Sequence, residues 1–103
     1  MFRIDSQIQD DTATLALAGQ FDYNAYAEFK SCEEAIFETQ GVRQIVVDLN
    51  KLDYLDSSAL GILLLLRERA QEHNVEVVLR AAQGVAREII DIAHFERMFR
   101  FVD

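Results

Sequence analysis

A chain of 103 residues, half of them apolar, has room for one hydrophobic core and not for two. Its 18 acidic against 10 basic residues leave a formal charge of −8, which repels a phosphate backbone and argues against nucleic acid as a partner; a basic protein surface suits it better, unless the charge serves only solubility. The opening MFRIDSQ lacks the basic end and apolar stretch of a secretory signal, and the longest apolar run, Ile62 to Leu66, is too short to span a bilayer, so a cytoplasmic protein with no membrane partner is expected.

Phe2 to Gln9 alternates apolar and polar residues through Phe2, Ile4 and Ile8, Asp10-Asp11 supplies a turn, and Thr12 to Ala18 alternates again through Leu15 and Leu17. This predicts a β-hairpin whose second strand stops at Gly19. Tyr23 to Gln40 carries Tyr26, Phe29, Ala35, Ile36 and Phe37 at helical spacing and ends at Gly41. Gln44 to Leu49 holds the β-branched run Ile45-Val46-Val47, a strand covered on both faces, and Asn50 to Asp56 is read as a connection to a second helix from about Ser57 to His73. Val75 to Leu79 is a short strand, Val85 to Phe95 a third helix by its Ile89, Ile90 and Ala93, and Met98 to Val102 a last short strand. The order ββαβαβαβ predicts one α/β domain over residues 1–103, with a mixed sheet: parallel strands joined by right-handed crossovers and an antiparallel opening hairpin.

The most informative stretch is Asp53-Tyr54-Leu55-Asp56-Ser57-Ser58-Ala59-Leu60-Gly61, which joins a buried strand to the start of an apolar helix. The unpaired N–H groups and positive dipole end of a first helical turn can accommodate a phosphate on Ser57. Asp56, Ser57 and Ser58 are also ordinary N-cap residues, and capping alone can explain them. The helix behind them adds information. At 100° per residue, Ala59, Ile62, Leu63, Leu66 and Ala70 make one stripe for the sheet, while Ser57, Gly61, Leu64 and Glu68 fall nearly opposite, flanked by Leu60 and Leu65. That second face is more apolar than a solvent face needs, so either another part of the domain or a docked partner covers it.

These elements resemble the STAS domains of bacterial anti-sigma factor antagonists over essentially the whole chain. Gly19-Gln20-Phe21-Asp22 is similar to the family's element after the second strand, Ile45-Val46-Val47-Asp48-Leu49 to its central strand, Asp56-Ser57-Ser58-Ala59-Leu60-Gly61 to its phosphorylation loop, and Gly84-Val85 to the start of its last long helix. The resemblance implies that Ser57 is the phosphate acceptor, that an anti-sigma factor with serine kinase activity phosphorylates it, and that a PP2C-like phosphatase, on a response regulator in the most similar members, reverses the reaction. It places Asp22 on the partner-binding face with Asp56 beside the acceptor Ser57, and the outer face of the helix adds Ser58, Leu60, Gly61 and Leu64 to the expected partner-binding residues. The unphosphorylated form would bind the anti-sigma factor and so affect transcription in a stress or signalling response. The departure is Ala59 where many members have glycine; alanine favours a helix by about 1 kcal/mol and firms its start. STAS domains also serve as constitutive scaffold subunits of transporter ATPases and stress-signalling complexes, which is the alternative reading.

Nothing in the sequence points to catalysis. It has no phosphate-cradling glycine loop and no cluster of metal ligands, so no cofactor is expected; ATP and Mg²⁺ belong to the kinase. Glu33-Glu34 reads as a solvated helix face, His73 and His94 as solvated helix-end residues, and Cys32, the single cysteine, as a small buried side chain.

Overall fold

A computed structural model describes residues 1–103. Five strands form one sheet in the order β1-β2-β3-β4-β5: β1 is Phe2–Gln9, β2 Thr12–Phe21, β3 Gln44–Leu55, β4 Glu76–Arg80 and β5 Arg100–Val102. Three α-helices alternate with the parallel strands: α1 is Tyr26–Phe37, α2 Ser57–Glu72 and α3 Gly84–Ile92. The predicted ββαβαβαβ order and mixed sheet are both present, with β1 antiparallel to β2 and every other pair parallel.

Alternation along the strands gives the sheet two unlike faces. Ala13, Leu15 and Leu17 of β2, Ile45, Val47 and Leu49 of β3 and Val77 and Leu79 of β4 share one core with Ala59, Ile62, Leu63, Leu66 and Ala70 of α2 and with Ala86 and Ile90 of α3. The stripe predicted on the second helix is the one that is buried. On the opposite face Val46 and Val78 are buried outside that core, in a surface built from long polar side chains: Arg80 donates to Asp48 at 2.8 Å, and Glu76 meets Arg100 at 3.4 Å and Gln44 at 3.1 Å. Burial works to raise the pKa of Asp48. Hydrogen bonds from Arg80 and the Asn50 N–H, with the charges of Arg80 and Lys51, outweigh it and hold the carboxyl below the usual range.

Both long strands run past their predicted ends for one reason. The β2–β3 register slips between Ala16 and Ala18 and again between Gly19 and Gln20, with β3 carrying the extra residues each time. Each bulge resets the alternation, so Leu49, Leu52 and Leu55, three apart, all face the core. A spacing of three reads as a break in a strand, and the predicted connection Asn50–Asp56 is therefore strand through Leu55.

Gly19 does not stop β2. It sits inside the strand opposite Phe2 with φ 86°, and a Cβ there would lie 1.8 Å from the Met1 carbonyl oxygen, which accepts from the Gln20 N–H at 3.0 Å. Gly19→Ala should cost at least about 1–2 kcal/mol from the left-handed backbone alone. For a domain of this size the loss reads as a fall in Tm of roughly 5–15 °C in a thermal melt, and an unchanged Tm would show that the close approach is absent in solution.

The last two strands are shifted slightly, β4 being Glu76–Arg80 for the predicted Val75 to Leu79 and β5 Arg100–Val102 for Met98 to Val102, and the other differences are in the helices. The predicted first helix opens with a 3₁₀ turn, Tyr23–Ala25, before α1, and the third is shorter than predicted, giving way at His94, with φ 59°, to a second 3₁₀ turn, Phe95–Arg97. On α1 the buried positions are Phe29, Glu33 and Ile36. Ala35 is exposed, and Glu33, read as solvated, is 1 % exposed and bonded to Arg69 of α2. Cys32 is half-buried rather than buried; burial, with Glu28 and Asp5 nearby, pushes its thiol pKa up, as expected of a packing side chain.

Candidate functional site

Parallel strands deliver their connections to one edge of the sheet. β2 ends at Phe21 and β3 at Leu55, paired with each other, and the Asp56 N–H donates to the Phe21 carbonyl at 3.2 Å. That bond ties the segment opening at Asp22 to the segment opening at Asp56, so the structure brings together two stretches 34 positions apart in the sequence.

Each segment begins with an aspartate cap. Asp22 accepts from the Asn24 N–H at 2.9 Å and starts the 3₁₀ turn; Asp56 accepts from the Ala59 N–H at 2.9 Å and starts α2. The capping reading is thus correct for Asp56, and that leaves Ser57 free of capping at the first position of α2, exposed beside its neighbour Ser58. A phosphate on Ser57 would stand at the positive end of a 16-residue helix.

The outer flank of α2 divides. Leu60 and Leu64 are half-buried and pack against the core, so the domain itself supplies part of the cover that their apolar character called for; Gly61 is half-buried with open space where a Cβ would project, and Leu65 is 40 % exposed. The same edge of the sheet carries large exposed side chains that the sequence did not single out as binding residues: Tyr23, 70 % exposed and stacked on Tyr26 with centroids 6.3 Å apart, Tyr54 two residues before Asp56, and Val85 at the start of α3. Val85 follows the β4–α3 connection, which Gln83 ties to the Asn50 carbonyl of β3 at 2.8 Å. An aromatic directly after a capping aspartate at a strand end was the available signal for Tyr23.

The two histidines lie away from this edge. His73 closes α2, donating from Nδ1 to the Arg69 carbonyl at 2.8 Å and stacking on Phe37, and His94 lies 3.4 Å from Glu96. No group of three or more His, Cys, Asp or Glu side chains is placed to hold a metal ion, and no helix is long and apolar enough to cross a membrane. The edge carries exposed hydroxyls on Ser57 and Ser58 and exposed aromatic side chains on Tyr23 and Tyr54.

Comparison with known proteins agrees with this architecture. The family model described as STAS domain matches residues 3–103. A STAS-domain containing protein of Pseudomonas aeruginosa is 40% identical over 87 residues, 84% of this chain and 84% of that protein. The candidate anti-sigma factor antagonist BtrV of Bordetella bronchiseptica is 33% identical over 76 residues, 74% of this chain and 66% of its own. Among solved structures, the anti-sigma factor antagonist SpoIIAA in its unphosphorylated form superposes with a TM-score of 0.76 at 16% identity, covering 100% of this chain and 88% of that one; the phosphorylated form of the Bacillus protein gives 0.72, covering 100% and 92%.

Proposed function

This chain belongs to the STAS domain family, and from that premise we propose that it is an anti-sigma factor antagonist that docks on its partner when unphosphorylated and is released when Ser57 carries a phosphate. The observation that carries the reading is the exposed Ser57 hydroxyl, left free because Asp56 makes the cap, at the edge where Asp22 and the α2 start are tied together. SpoIIAA, of the same fold, is known in both phosphorylation states, which supports a phosphorylation switch here.

The chain acts as substrate and ligand. An anti-sigma factor with serine kinase activity supplies the chemistry: Ser57 Oγ forms the new bond to the γ-phosphorus of ATP, the bond to the β–γ bridging oxygen breaks, ADP leaves, and the hydroxyl proton passes to a base of the kinase. A PP2C-like phosphatase transfers the phosphoryl group to water and restores the docking form. The binding face is formed by Asp22, Asp56, Ser57, Ser58, Leu60, Gly61 and Leu64, with Leu60 and Leu64 contributing only their exposed edges.

Intact mass tests the reading directly. The wild type purified from its source cells should carry one phosphate that a serine phosphatase removes, and Ser57→Ala should carry none. Wild type that stays unmodified across growth phases and stresses, especially with a tightly co-purifying partner, would defeat the switch and favour the constitutive scaffold subunit.

A further inference from the structure

One long strand of the sheet has a partner on one side only. β1 pairs with β2 along all eight of its residues without a slip, and nothing pairs with its other side; β5, at the far edge, is three residues long. β1 has neither the proline, the lysine nor the bulge that commonly blunts a free edge. The Met1 carbonyl accepts from the Gln20 N–H across the hairpin, so the odd-numbered residues of β1 bond to β2. The backbone N–H and C=O groups of Phe2, Ile4, Ser6 and Ile8 therefore face outward.

The side chains of that edge are complementary to themselves. Phe2 and Ile4 pack on the core from the helical side of the sheet, whereas Arg3 and Asp5 stand on the open side, paired in register with the small Ala18 and Ala16 of β2. Neither Arg3 nor Asp5 forms an ion pair within the chain. Let a second β1 lie antiparallel, with Ile4 opposite Ile4 on a two-fold axis. The outward groups of Ile4 then bond to each other and those of Phe2 to those of Ser6. Arg3 of each copy falls opposite Asp5 of the other in a non-hydrogen-bonded pair, with Cβ atoms about 4.5–5.5 Å apart. A slip of two residues, the smallest that keeps the outward groups paired, sets Arg3 against Arg3 or Asp5 against Asp5, so charge selects one register.

The helix beside this edge leaves room for a second copy. Glu28 of α1 shares a groove with Met1 and Phe2, and the charges of Glu28 and Asp5 both act on the Cys32 thiol, which puts one flank of α1 next to β1. Helical spacing adds Ser31 and Ala35 to that flank, both exposed, so most of its side chains are small.

We infer that β1 is a homodimer edge: two copies of this chain join β1 to β1, antiparallel about Ile4, into one continuous sheet with reciprocal Arg3–Asp5 pairs. The two chains, each of charge −8, repel as wholes; at about 0.15 M salt the screening length is about 8 Å, which weakens that repulsion more than it weakens pairs in contact. The inference rests on the sheet edge and is independent of phosphorylation at Ser57.

The test is sedimentation equilibrium of the full-length chain at that salt, up to about 1 mM chain, with amide exchange by NMR over the same range. The mass should rise from 11.8 kDa toward twice that value, and exchange should slow with concentration at the Phe2, Ile4 and Ser6 amides but not at Ile8. Arg3→Asp and Asp5→Arg, each of which sets like charges across both pairs, should weaken the dimer at least about tenfold while the Tm of the dilute chain stays unchanged. The exchanged variant Arg3→Asp/Asp5→Arg should restore wild-type affinity to within about threefold. A mass that stays at 11.8 kDa throughout would remove the dimer and leave the edge to a strand of another protein or to solvent. A dimer that is indifferent to both reversals, that the exchanged variant does not restore, or that protects Ile8 in place of Ile4 would place the contact elsewhere. Each of these results overturns the inference.

Discussion

Arg69→Met alone should lower the unfolding free energy by about 3 kcal/mol, measured as a fall in urea midpoint at constant m. The cost arises from what remains. Glu33 has a side chain only 2 % exposed, and removing its partner strands a carboxylate on the same buried face of α1 as Phe29 and Ile36. Broken buried pairs cost about 3–5 kcal/mol, and the lower end applies because Arg69 is 30 % exposed and water already reaches one side of the pair. Arg97→Met is the control: its contact to Glu96 is 4.0 Å between exposed side chains, and exposed pairs contribute under about 1 kcal/mol. Equal losses from the two variants would mean that Glu33 is hydrated in solution. The double variant Glu33→Met/Arg69→Met should recover most of the loss, because it removes the stranded charge together with its partner.

What the sequence concealed has physical causes in particular residues. The α2 stripe was legible because Ala59, Ile62, Leu63, Leu66 and Ala70 keep helical spacing without interruption. The far half of β3 was not, since two bulges turn a period of two into the three-residue spacing of Leu49, Leu52 and Leu55, a pattern fixed by the register with β2 and absent from β3 read alone. Glu33 was misread for a related reason. Its neighbour Glu34 is exposed, and whether an acidic pair on a helix is solvated or buried depends on a partner 36 positions away, which no local pattern shows. The site was legible in part. Asp56 and Ser57 declare a helix start, but the bond from the Asp56 N–H to the Phe21 carbonyl, which joins the Asp22 segment to it, depends on the pairing of Phe21 with Leu55.

Phosphorylation of Ser57 should weaken docking on the anti-sigma factor by roughly a hundredfold or more, measured by calorimetry on the purified unphosphorylated and phosphorylated chains. The phosphate adds about −1.5 to −2 charges and a hydration shell within the proposed contact. At an effective dielectric of 20, a like charge 4 Å away on the partner opposes it by about 4 kcal/mol, several hundredfold in Kd; salt screening at an exposed position trims this. The chain itself should tolerate the group. It stands at the N-terminus of α2, where the dipole and free N–H groups favour an anion, so the phosphorylated chain should melt no lower than the unmodified one. That separation matters, because it distinguishes a blocked contact from a disrupted fold. Ser57→Ala should bind like the unphosphorylated chain, and Ser57→Asp should fall between the two, since one short carboxylate carries less charge and bulk than a phosphate. Equal affinity of both chains for the partner would remove Ser57 from the contact. A lower Tm of the phosphorylated chain, with affinity lost in proportion, would replace a local block by unfolding of the α2 start.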